Sequence, residues 1–293
     1  MTHPAYARPT SVAETVGTLQ ENPDARLIAG GTDLMVQMRL GHRRPGLVVD
    51  TVDLEELHRL DATGPSVIGA ATTLRAFLED GVLVARYPAL AQAANLLGGR
   101  QIQAVATFGG NVCNASPAAE TTTPLLVYDA QAEIAGPEGR RSIPLTNFFA
   151  GPGRSVLAPG ELLVALRLPV GGNDQRSAYR RMELRRSVDI AIVSTSACFD
   201  IENGRIAAAR IAIGAVNAIV MRVPDAETAL VGTAIADASH EAISGAVNEA
   251  AAACREASRP IDDTRASARY RAAMIEVIAQ RAMTEAISQE KDK

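Results

Sequence analysis

The sequence is poor in cysteine and in aromatic residues. Its 293 residues include only three cysteines (Cys113, Cys198 and Cys254), no tryptophan, and 3% aromatic residues in all. An iron–sulfur cluster normally requires four thiolate ligands, so this chain cannot hold one by itself. The scarcity of aromatic side chains also argues against a surface that stacks nucleic-acid bases, so no nucleic-acid partner is expected.

Long apolar runs are absent as well. The most apolar stretch, residues 206–221, is interrupted by Arg210 and Asn217, which excludes a transmembrane helix of about 20 apolar residues. The first residues lack the apolar stretch of a signal peptide, and the scattered cysteines are typical of a reducing compartment. The net charge of −4 is small and dispersed. We therefore expect a cytoplasmic protein with no membrane span and no membrane-surface partner.

Glycine and proline are concentrated in one part of the chain. Of the 23 glycines, 19 lie at or before Gly172, and so do 13 of the 15 prolines. Because these residues mark turns, the distribution predicts a turn-rich αβ region over residues 1–172 and a more regular region over residues 173–293. Apolar residues make up 47% of the chain, enough for two cores of ordinary size.

Local patterns predict the main helices and strands. In the first region, Ser11 and Glu14 form a capping-box pattern that opens a helix over residues 12–21. Apolar periodicity predicts strands over 26–29, 47–50, 66–70, 125–134 and 161–168, and helices over 74–80 and 89–98. In the second region, the Asn203-Gly204 pair predicts a hairpin of strands 189–201 and 206–216. Helical spacing predicts two further helices over 239–257 and 264–288.

The first glycine pair, Gly30-Gly31, directly follows the predicted strand 26–29. Two glycines there let the backbone turn and approach a ligand closely, since no Cβ is in the way. Successive N–H groups in such a turn form a concave anion-binding site suited to a pyrophosphate, and Thr32 adds a hydroxyl donor. Taken alone, however, a glycine pair after a strand is more typical of a plain turn.

The second glycine pair, Gly109-Gly110, lies in a 15-residue segment, residues 106–120, rich in small polar side chains. Asn111, Asn114 and Ser116 are short-range hydrogen-bonding residues, and the segment ends on a carboxylate. We predict a long loop, either a ligand-binding loop or a surface loop with Asx turns. Neither glycine pair fits the Rossmann or P-loop pattern, so neither of those nucleotide sites is predicted.

The two segments together are far more specific than either alone. The pattern A-G-G-T-D-L, followed about eighty residues later by A-T-x-G-G-N-x-x-N-A-S-P-A-A-E, resembles the FAD-binding subunit of the xanthine dehydrogenase and carbon monoxide dehydrogenase family. The resemblance extends over nearly the whole chain, through residues 101–102, 124–126, 161–163 and 179–193.

The resemblance implies an α+β fold in two parts. Residues 1–172 would form a two-subdomain FAD-binding fold of the vanillyl-alcohol-oxidase type, with subdomains at about 1–55 and 56–172. Residues 173–293 would form a C-terminal domain of the CO dehydrogenase flavoprotein type, a small antiparallel three-stranded sheet with helices.

The resemblance also implies a set of cofactor-binding residues. Residues 28–33 would wrap the pyrophosphate and ribityl region of FAD, Ser116 and Glu120 would bind the ribityl hydroxyls, and Arg181 would lie near the pyrimidine edge of the flavin. A solvated charge is the open alternative for Arg181. The full candidate set is Leu27, Ile28, Ala29, Gly30, Gly31, Thr32, Asp33, Leu34, Leu97, Ile102, Ala106, Thr107, Gly109, Gly110, Asn111, Asn114, Ser116, Glu120, Leu163 and Arg181.

The function implied by the resemblance is electron transfer within a larger enzyme. This chain would carry FAD, take electrons from the [2Fe–2S] clusters of a small partner subunit and pass them to an external acceptor. A large partner subunit would hold molybdopterin, and a dimer of heterotrimers is one arrangement of the complex. No catalytic residue and no metal ligand are expected here. Two alternatives stay open: a self-sufficient FAD-dependent oxidoreductase, and a non-catalytic nucleotide-binding scaffold subunit.

Three positions depart from the family's pattern. Arg181 replaces a lysine of many relatives, Gln103 replaces a common arginine, and Val188 stands where NAD-reducing eukaryotic relatives carry an acid. Because a carboxylate beside the flavin is missing, we expect NAD to be a poor electron acceptor.

Overall fold

The chain has an α+β architecture in a computed structural model that describes residues 4–185, 188–235 and 240–289. In chain order the strands are β1 (Ala5–Ala7), β2 (Arg26–Ile28), β3 (Leu47–Asp50), β4 (Leu60–Asp61), β5 (Ser66–Gly69), β6 (Gln131–Gly136), β7 (Gly139–Pro144), β8 (Phe149–Gly151), β9 (Arg154–Ser155), β10 (Leu162–Leu168), β11 (Gln175–Met182), β12 (Val193–Glu202), β13 (Arg205–Gly214) and β14 (Met221–Arg222). The helices are α1 (Val12–Glu21), α2 (Leu34–Arg39), α3 (Leu74–Glu79), α4 (Gly81–Arg86), α5 (Pro88–Leu96), α6 (Arg100–Gln103), α7 (Phe108–Cys113), α8 (Thr122–Val127), α9 (Pro224–Leu230), α10 (His240–Ala257) and α11 (Ala268–Ser288).

The first three strands form a small parallel sheet in the order β1–β3–β2. Helix α1 connects β1 to β2 and begins at the predicted residue, because the Ser11 hydroxyl accepts the Glu14 N–H at 3.1 Å. Its buried residues Val12, Val16 and Leu19 recur at helical spacing and pack into the apolar core. The sheet thus brings the end of β2, and the glycine pair after it, to the edge of this core.

A five-stranded antiparallel sheet follows, in the order β4–β5–β10–β6–β7. Its strands β5 and β10 confirm the predictions for residues 66–70 and 161–168 and are almost wholly buried. Helices α3 and α5 confirm the predicted helices 74–80 and 89–98, and the Thr73 hydroxyl caps α3 at the N–H of Ala76. Both sheets and these helices share one apolar core.

The predicted strand over residues 125–134 is wrong in its first half. Residues Thr122–Val127 form helix α8, a turn follows at Asp129 with φ +53°, and only Gln131–Gly136 is a strand. The run Leu125–Val127 is fully buried on every side, so it shows no periodicity that distinguishes a helix from a strand. Pro124 fits the first turn of a helix, where its missing N–H leaves no bond unmade.

The C-terminal region is an antiparallel sheet with helices on one face. The predicted hairpin is confirmed, with Asn203 (φ +51°) and Gly204 (φ +71°) in the turn between β12 and β13. The sheet has four strands rather than three, in the order β11–β12–β13–β14, because the two-residue β14 pairs with β13. Strand β12 begins at Val193, four residues later than predicted, and helix α9 was not predicted.

Of the two long helices in this region, α11 packs on strands β11 and β12, and α10 packs on α9 and α11. Helix α11 begins at Ala268, where the Ser267 hydroxyl caps it, rather than at Thr264. Helix α10 spans His240–Ala257, and the predicted start at Ser239 lies outside the described residues. Neither these nor the other described helices are long and apolar enough to cross a membrane.

The two regions are joined through buried hydrogen bonds. The Gln92 side chain on α5 accepts the Tyr179 N–H of β11 at 2.7 Å, and the Tyr128 and Ser177 hydroxyls are 2.5 Å apart. These contacts hold β11, which carries Arg181, against the helices of the first region.

Candidate functional site

A cavity of about 700 Å³ opens between the first glycine pair, helix α7 and the chain from Gly153 to Leu163. Its size lies in the range of small-molecule and cofactor sites. Sixteen of the twenty predicted site residues line it: Leu27, Ile28, Ala29, Gly30, Gly31, Thr32, Asp33, Leu34, Leu97, Ala106, Thr107, Gly109, Gly110, Asn111, Asn114 and Leu163. The two sequence motifs therefore converge on one cavity.

The first glycine pair presents free backbone donors to the cavity. Gly31 has φ +66°, a backbone conformation that residues with a side chain rarely adopt. The N–H groups of Gly30, Gly31 and Thr32 donate to no acceptor within the described part of the chain. Buried or half-buried N–H groups normally have partners. A ligand with several acceptor oxygens close together, such as a diphosphate, fits this turn.

The second segment is not the long loop that we predicted. Residues Phe108–Cys113 form helix α7, which begins where the Thr107 hydroxyl accepts the Gly110 N–H at 3.0 Å. Gly109 lies at the edge of the cavity and packs closely on the chain just after β5, since a Cβ there would lie 2.5 Å from the Ala70 carbonyl oxygen. Gly110 is exposed, and a Cβ there would meet only Thr107 Oγ1. Of the two glycines, Gly110 leaves the more open space at the cavity.

Glu120 and Arg181 lie next to each other but outside the cavity lining. Arg181 Nη1 is 2.9 Å from Glu120 Oε1, and the guanidinium also pairs with Glu183. The Arg181 side chain is only 2% exposed, so the alternative of a solvated charge is wrong. Burial raises the pKa of Glu120, and the neighbouring Arg181 opposes that rise. The pair links the segment just before α8 to β11.

Ser116 and Ile102 are also absent from the cavity lining. The Ser116 hydroxyl accepts the Ala118 N–H at 3.3 Å in a local turn. Ile102 packs over Gly98, where a Cβ would lie 2.8 Å from that of Ile102. A direct contact of these two side chains with a bound cofactor stays a prediction.

Three arginines of the cavity were not predicted. Arg26, Arg43 and Arg154 line it, and Arg43 Nε donates to Gln37 Oε1 at 3.1 Å. They come from the start of β2, the chain after α2 and the start of β9, so no local sequence pattern connects them. Only the fold brings the three charges to one cavity.

The acidic residues of the cavity do not cancel these charges. Glu161 is bound by Arg141, which does not line the cavity, at 2.7 Å. Those hydrogen bonds lower the pKa of Glu161 despite its partial burial. Asp33 accepts a hydrogen bond from Gln37 and is the other acidic residue of the lining. The lining therefore carries three arginines and only one carboxylate, Asp33, that is not already paired with an arginine outside the cavity. This excess of positive charge favours an anionic ligand.

The cavity contains no set of groups for nucleophilic or metal catalysis. Cys113 lines it, but burial raises the pKa of this thiol to about 12, so it stays protonated at neutral pH. Among the described residues, no group of three or more potential ligands could hold a metal ion.

Two family models match the chain. Residues 2–171 match the FAD binding domain in molybdopterin dehydrogenase, and residues 177–286 match the CO dehydrogenase flavoprotein C-terminal domain. The xanthine dehydrogenase FAD-binding subunit of Escherichia coli O157:H7 is 33% identical over 287 residues, which is 97% of this chain and 96% of that protein. The carbon monoxide dehydrogenase medium chain of Hydrogenophaga pseudoflava is 30% identical over 283 residues, which is 96% of this chain and 96% of that protein.

Solved structures agree with these matches. A chain of the reconstituted CO dehydrogenase from Oligotropha carboxidovorans superposes with a TM-score of 0.92 at 29% identity, covering 99% of both chains. A chain of quinoline 2-oxidoreductase from Pseudomonas putida 86 superposes with a TM-score of 0.89 at 27% identity, covering 98% of this chain and 97% of that one.

Proposed function

Because this chain belongs to the family of FAD-binding medium subunits of molybdenum-dependent dehydrogenases, we propose that it transfers electrons within a heteromeric molybdenum hydroxylase. Its relatives are subunits of oxidoreductases, and its first domain is of the FAD-binding type. The proposed route runs from the [2Fe–2S] clusters of a partner to this chain and on to an external acceptor.

The observation that carries the proposal is the composition of the cavity. The free N–H groups of residues 30–32 and the cations Arg26, Arg43 and Arg154 suit a diphosphate, which FAD contains. The apolar lining residues Leu97, Leu157 and Leu163 suit a flat ring system. When bound, FAD supplies the capacity to accept and release electrons singly or in pairs. The chain's own residues bind and orient it.

The proposal assigns the remaining redox groups to partner subunits. The three cysteines are dispersed, and burial raises the pKa of Cys198 to about 11 and that of Cys254 to about 12, which disfavours thiolate ligands. We therefore place the [2Fe–2S] clusters on a small subunit and molybdopterin on a large one, with a dimer of heterotrimers as the candidate assembly. The complex is proposed to work in the cytoplasm.

The same proposal includes the division of the chain. Residues 1–172 would be the FAD-binding domain, with the parallel sheet in one subdomain (about 1–55) and the five-stranded sheet in the other (about 56–172), as in the vanillyl-alcohol-oxidase type. Residues 173–293 would be the C-terminal domain. The sheets support this division, since no sheet mixes strands from these three ranges within the described residues.

The test compares the isolated chain with the reconstituted complex. The isolated chain should release FAD on denaturation, identified by mass spectrometry, and should not be reduced by candidate substrates. Co-expression with a molybdopterin subunit and a [2Fe–2S] subunit should give dye-linked substrate oxidation. Substrate-dependent reduction of the isolated chain would instead support the self-sufficient oxidoreductase. A chain that binds an adenine nucleotide but no flavin would support the scaffold subunit.

A further inference from the structure

We infer that Thr121 is a positioning residue that fixes the side-chain amide of Asn111, so that the two N–H donors of Asn111 face the cofactor cavity. Asn111 lies on α7 and lines the cavity, whereas Thr121 immediately precedes α8, is fully buried and does not line it. Both donors of Thr121 reach one atom of Asn111. The backbone N–H lies 3.3 Å, and the hydroxyl 2.6 Å, from Asn111 Oδ1.

The backbone N–H of Thr121 decides which way the amide points. An N–H group can only donate, so the Asn111 atom that faces it must be the oxygen. The amide nitrogen Nδ2 must then point away from Thr121. Within the described residues, Nδ2 donates to no protein acceptor, and it is not among the buried atoms that lack a partner. The donors are therefore accessible from the cavity that Asn111 lines.

Asn114 provides an internal comparison. It lines the same cavity, one turn after Gly110, but its side-chain amide makes no hydrogen bond within the described part of the chain. Its amide can therefore turn to present either oxygen or nitrogen. The Asn111 amide has one orientation, and it is set before any ligand arrives.

The segment that carries Thr121 is itself held in place. The neighbouring Glu120 is paired with the buried Arg181 of β11, and the Thr122 hydroxyl donates to the Ala119 carbonyl at 2.6 Å. The Thr121 hydroxyl makes no capping hydrogen bond to α8. Among the described residues it donates only to Asn111 Oδ1. A donor that is already oriented loses less entropy on binding and therefore contributes more to affinity.

This arrangement determines what Asn111 recognises. Two fixed N–H donors require an acceptor on the bound molecule, such as a hydroxyl, phosphate or carbonyl oxygen of the dinucleotide. A carboxylate at position 111 could still accept both Thr121 bonds but would offer no donor and would repel an anion. The inference rests on the proposed function, because it takes FAD as the ligand.

The experiment measures FAD dissociation constants of the deflavinated chain by fluorescence titration. Thr121→Val keeps the side-chain shape and removes the hydroxyl, and it should weaken FAD binding about 5- to 10-fold, the equivalent of one hydrogen bond. Thr121→Ser keeps the hydroxyl and should bind within about twofold of wild type. In an Asn111→Ala background, Thr121→Val should cause no further loss, because the two residues act as one unit.

Asn111→Asp tests the same inference without changing Thr121. It should weaken FAD binding at least as much as Asn111→Ala, while Asn114→Asp, as the matched control, should weaken it less. Thermal unfolding of the apoprotein identifies any variant that fails to fold. Wild-type affinity in Thr121→Val or in Asn111→Asp, or additive losses in the double variant, would overturn the inference. A wild-type chain that binds no FAD at all would instead overturn the proposed function.

Discussion

Gly30 packs directly on the backbone of Val105: a Cβ built on Gly30 would lie 1.8 Å from the Val105 carbonyl oxygen. Real Cβ atoms do not come this close to backbone atoms, so only glycine fits this position. The contact joins the first glycine pair to the chain that leads into α7. The two motifs are about eighty residues apart in sequence. They form one wall of the cavity because Gly30, at the point where they meet, has no side chain.

Gly30→Ala should therefore separate the two motifs. We expect loss of bound flavin and a decrease of roughly 1–3 kcal/mol in the free energy of unfolding, because the added methyl must displace backbone. Flavin stoichiometry and denaturant unfolding measure the two effects. Gly17→Ala is the matched control, since no atom lies within 4 Å of its Cβ and alanine favours a helix interior, so it should retain flavin and gain about 0.5–1 kcal/mol. Full flavin occupancy in Gly30→Ala would show that the junction does not shape the site.

Gly110→Val should abolish flavin binding for a different reason. Gly110 does not have a positive φ, so backbone strain plays no part. Its Cβ would lie 2.9 Å from Thr107 Oγ1, and the branched side chain would extend into the cavity and displace the cap of α7. We expect an intact circular dichroism spectrum with little bound FAD. A variant with one FAD per chain would mean that the cofactor does not approach this helix.

Glu120→Ala should affect stability more than a surface substitution would. The sequence suggested that this carboxylate binds the cofactor, but in the structure it pairs with the 2%-exposed Arg181. Removing it leaves the buried guanidinium with Glu183 as its remaining carboxylate, so we expect a loss of about 2–4 kcal/mol in unfolding free energy. Urea unfolding of the apoprotein measures this loss without flavin. An unchanged midpoint combined with weaker FAD binding would favour the direct contact instead.

The sequence was sufficient to predict those local features of the fold that depend on backbone chemistry. The glycine pair at Gly30, the cap at Ser11 and the turn at Asn203-Gly204 each need a particular residue type, and that requirement is visible in the sequence. Helix α7 was missed because its six residues include two glycines and carry no helical periodicity.

The charges of the site could not be predicted in this way. Arg26, Arg43 and Arg154 share the cavity only after three separate parts of the chain are folded together, and each alone has the pattern of a surface arginine. The same applies to Arg181, which meets Glu120 only after β11 has packed against helix α5 of the first region. Long-range pairing of charges is a property of tertiary structure and leaves no signal in a single sequence.

Position 188 bears on which electron acceptor the complex uses. Val188 is 52% exposed, has φ +50° and does not line the cavity. It supplies no carboxylate beside the cofactor, so we expect the complex to reduce NAD more slowly than an artificial dye or oxygen at matched substrate. Steady-state assays of the complete complex measure this preference. Turnover with NAD as fast as with any dye would show that position 188 does not select the acceptor.

The ion pair between Asp263 and Arg271 makes the stability of the start of α11 depend on pH. The Asp263 carboxylate accepts hydrogen bonds from the N–H groups of Arg265 and Ala266 and from the Arg271 guanidinium, at 2.8, 3.2 and 2.8 Å. Arg271 is only 4% exposed and also donates to the Ile192 and Ala215 carbonyls, so this contact ties α11 to the C-terminal sheet.

Burial alone would raise the pKa of Asp263, but the hydrogen bonds from Arg265 and Arg271 outweigh it and lower the pKa to about 2. Because the folded value lies below the unfolded value of about 3.9, the contact stabilises the protein above that pH and its contribution is lost as the pH falls from about 4 to 2. Asp263→Asn should therefore lower the unfolding free energy at pH 7 by roughly 1–2 kcal/mol, allowing for solvent screening of this partly exposed group. The difference from wild type should shrink as the pH approaches 2.

Asp262→Asn is the matched control, since the Asp262 carboxylate accepts the Ala268 N–H and forms no ion pair among the described residues. Urea unfolding between about pH 2 and 7, from the folded pKa of Asp263 to well above its unfolded value, measures both variants. A difference for Asp263→Asn that does not depend on pH would contradict the assignment.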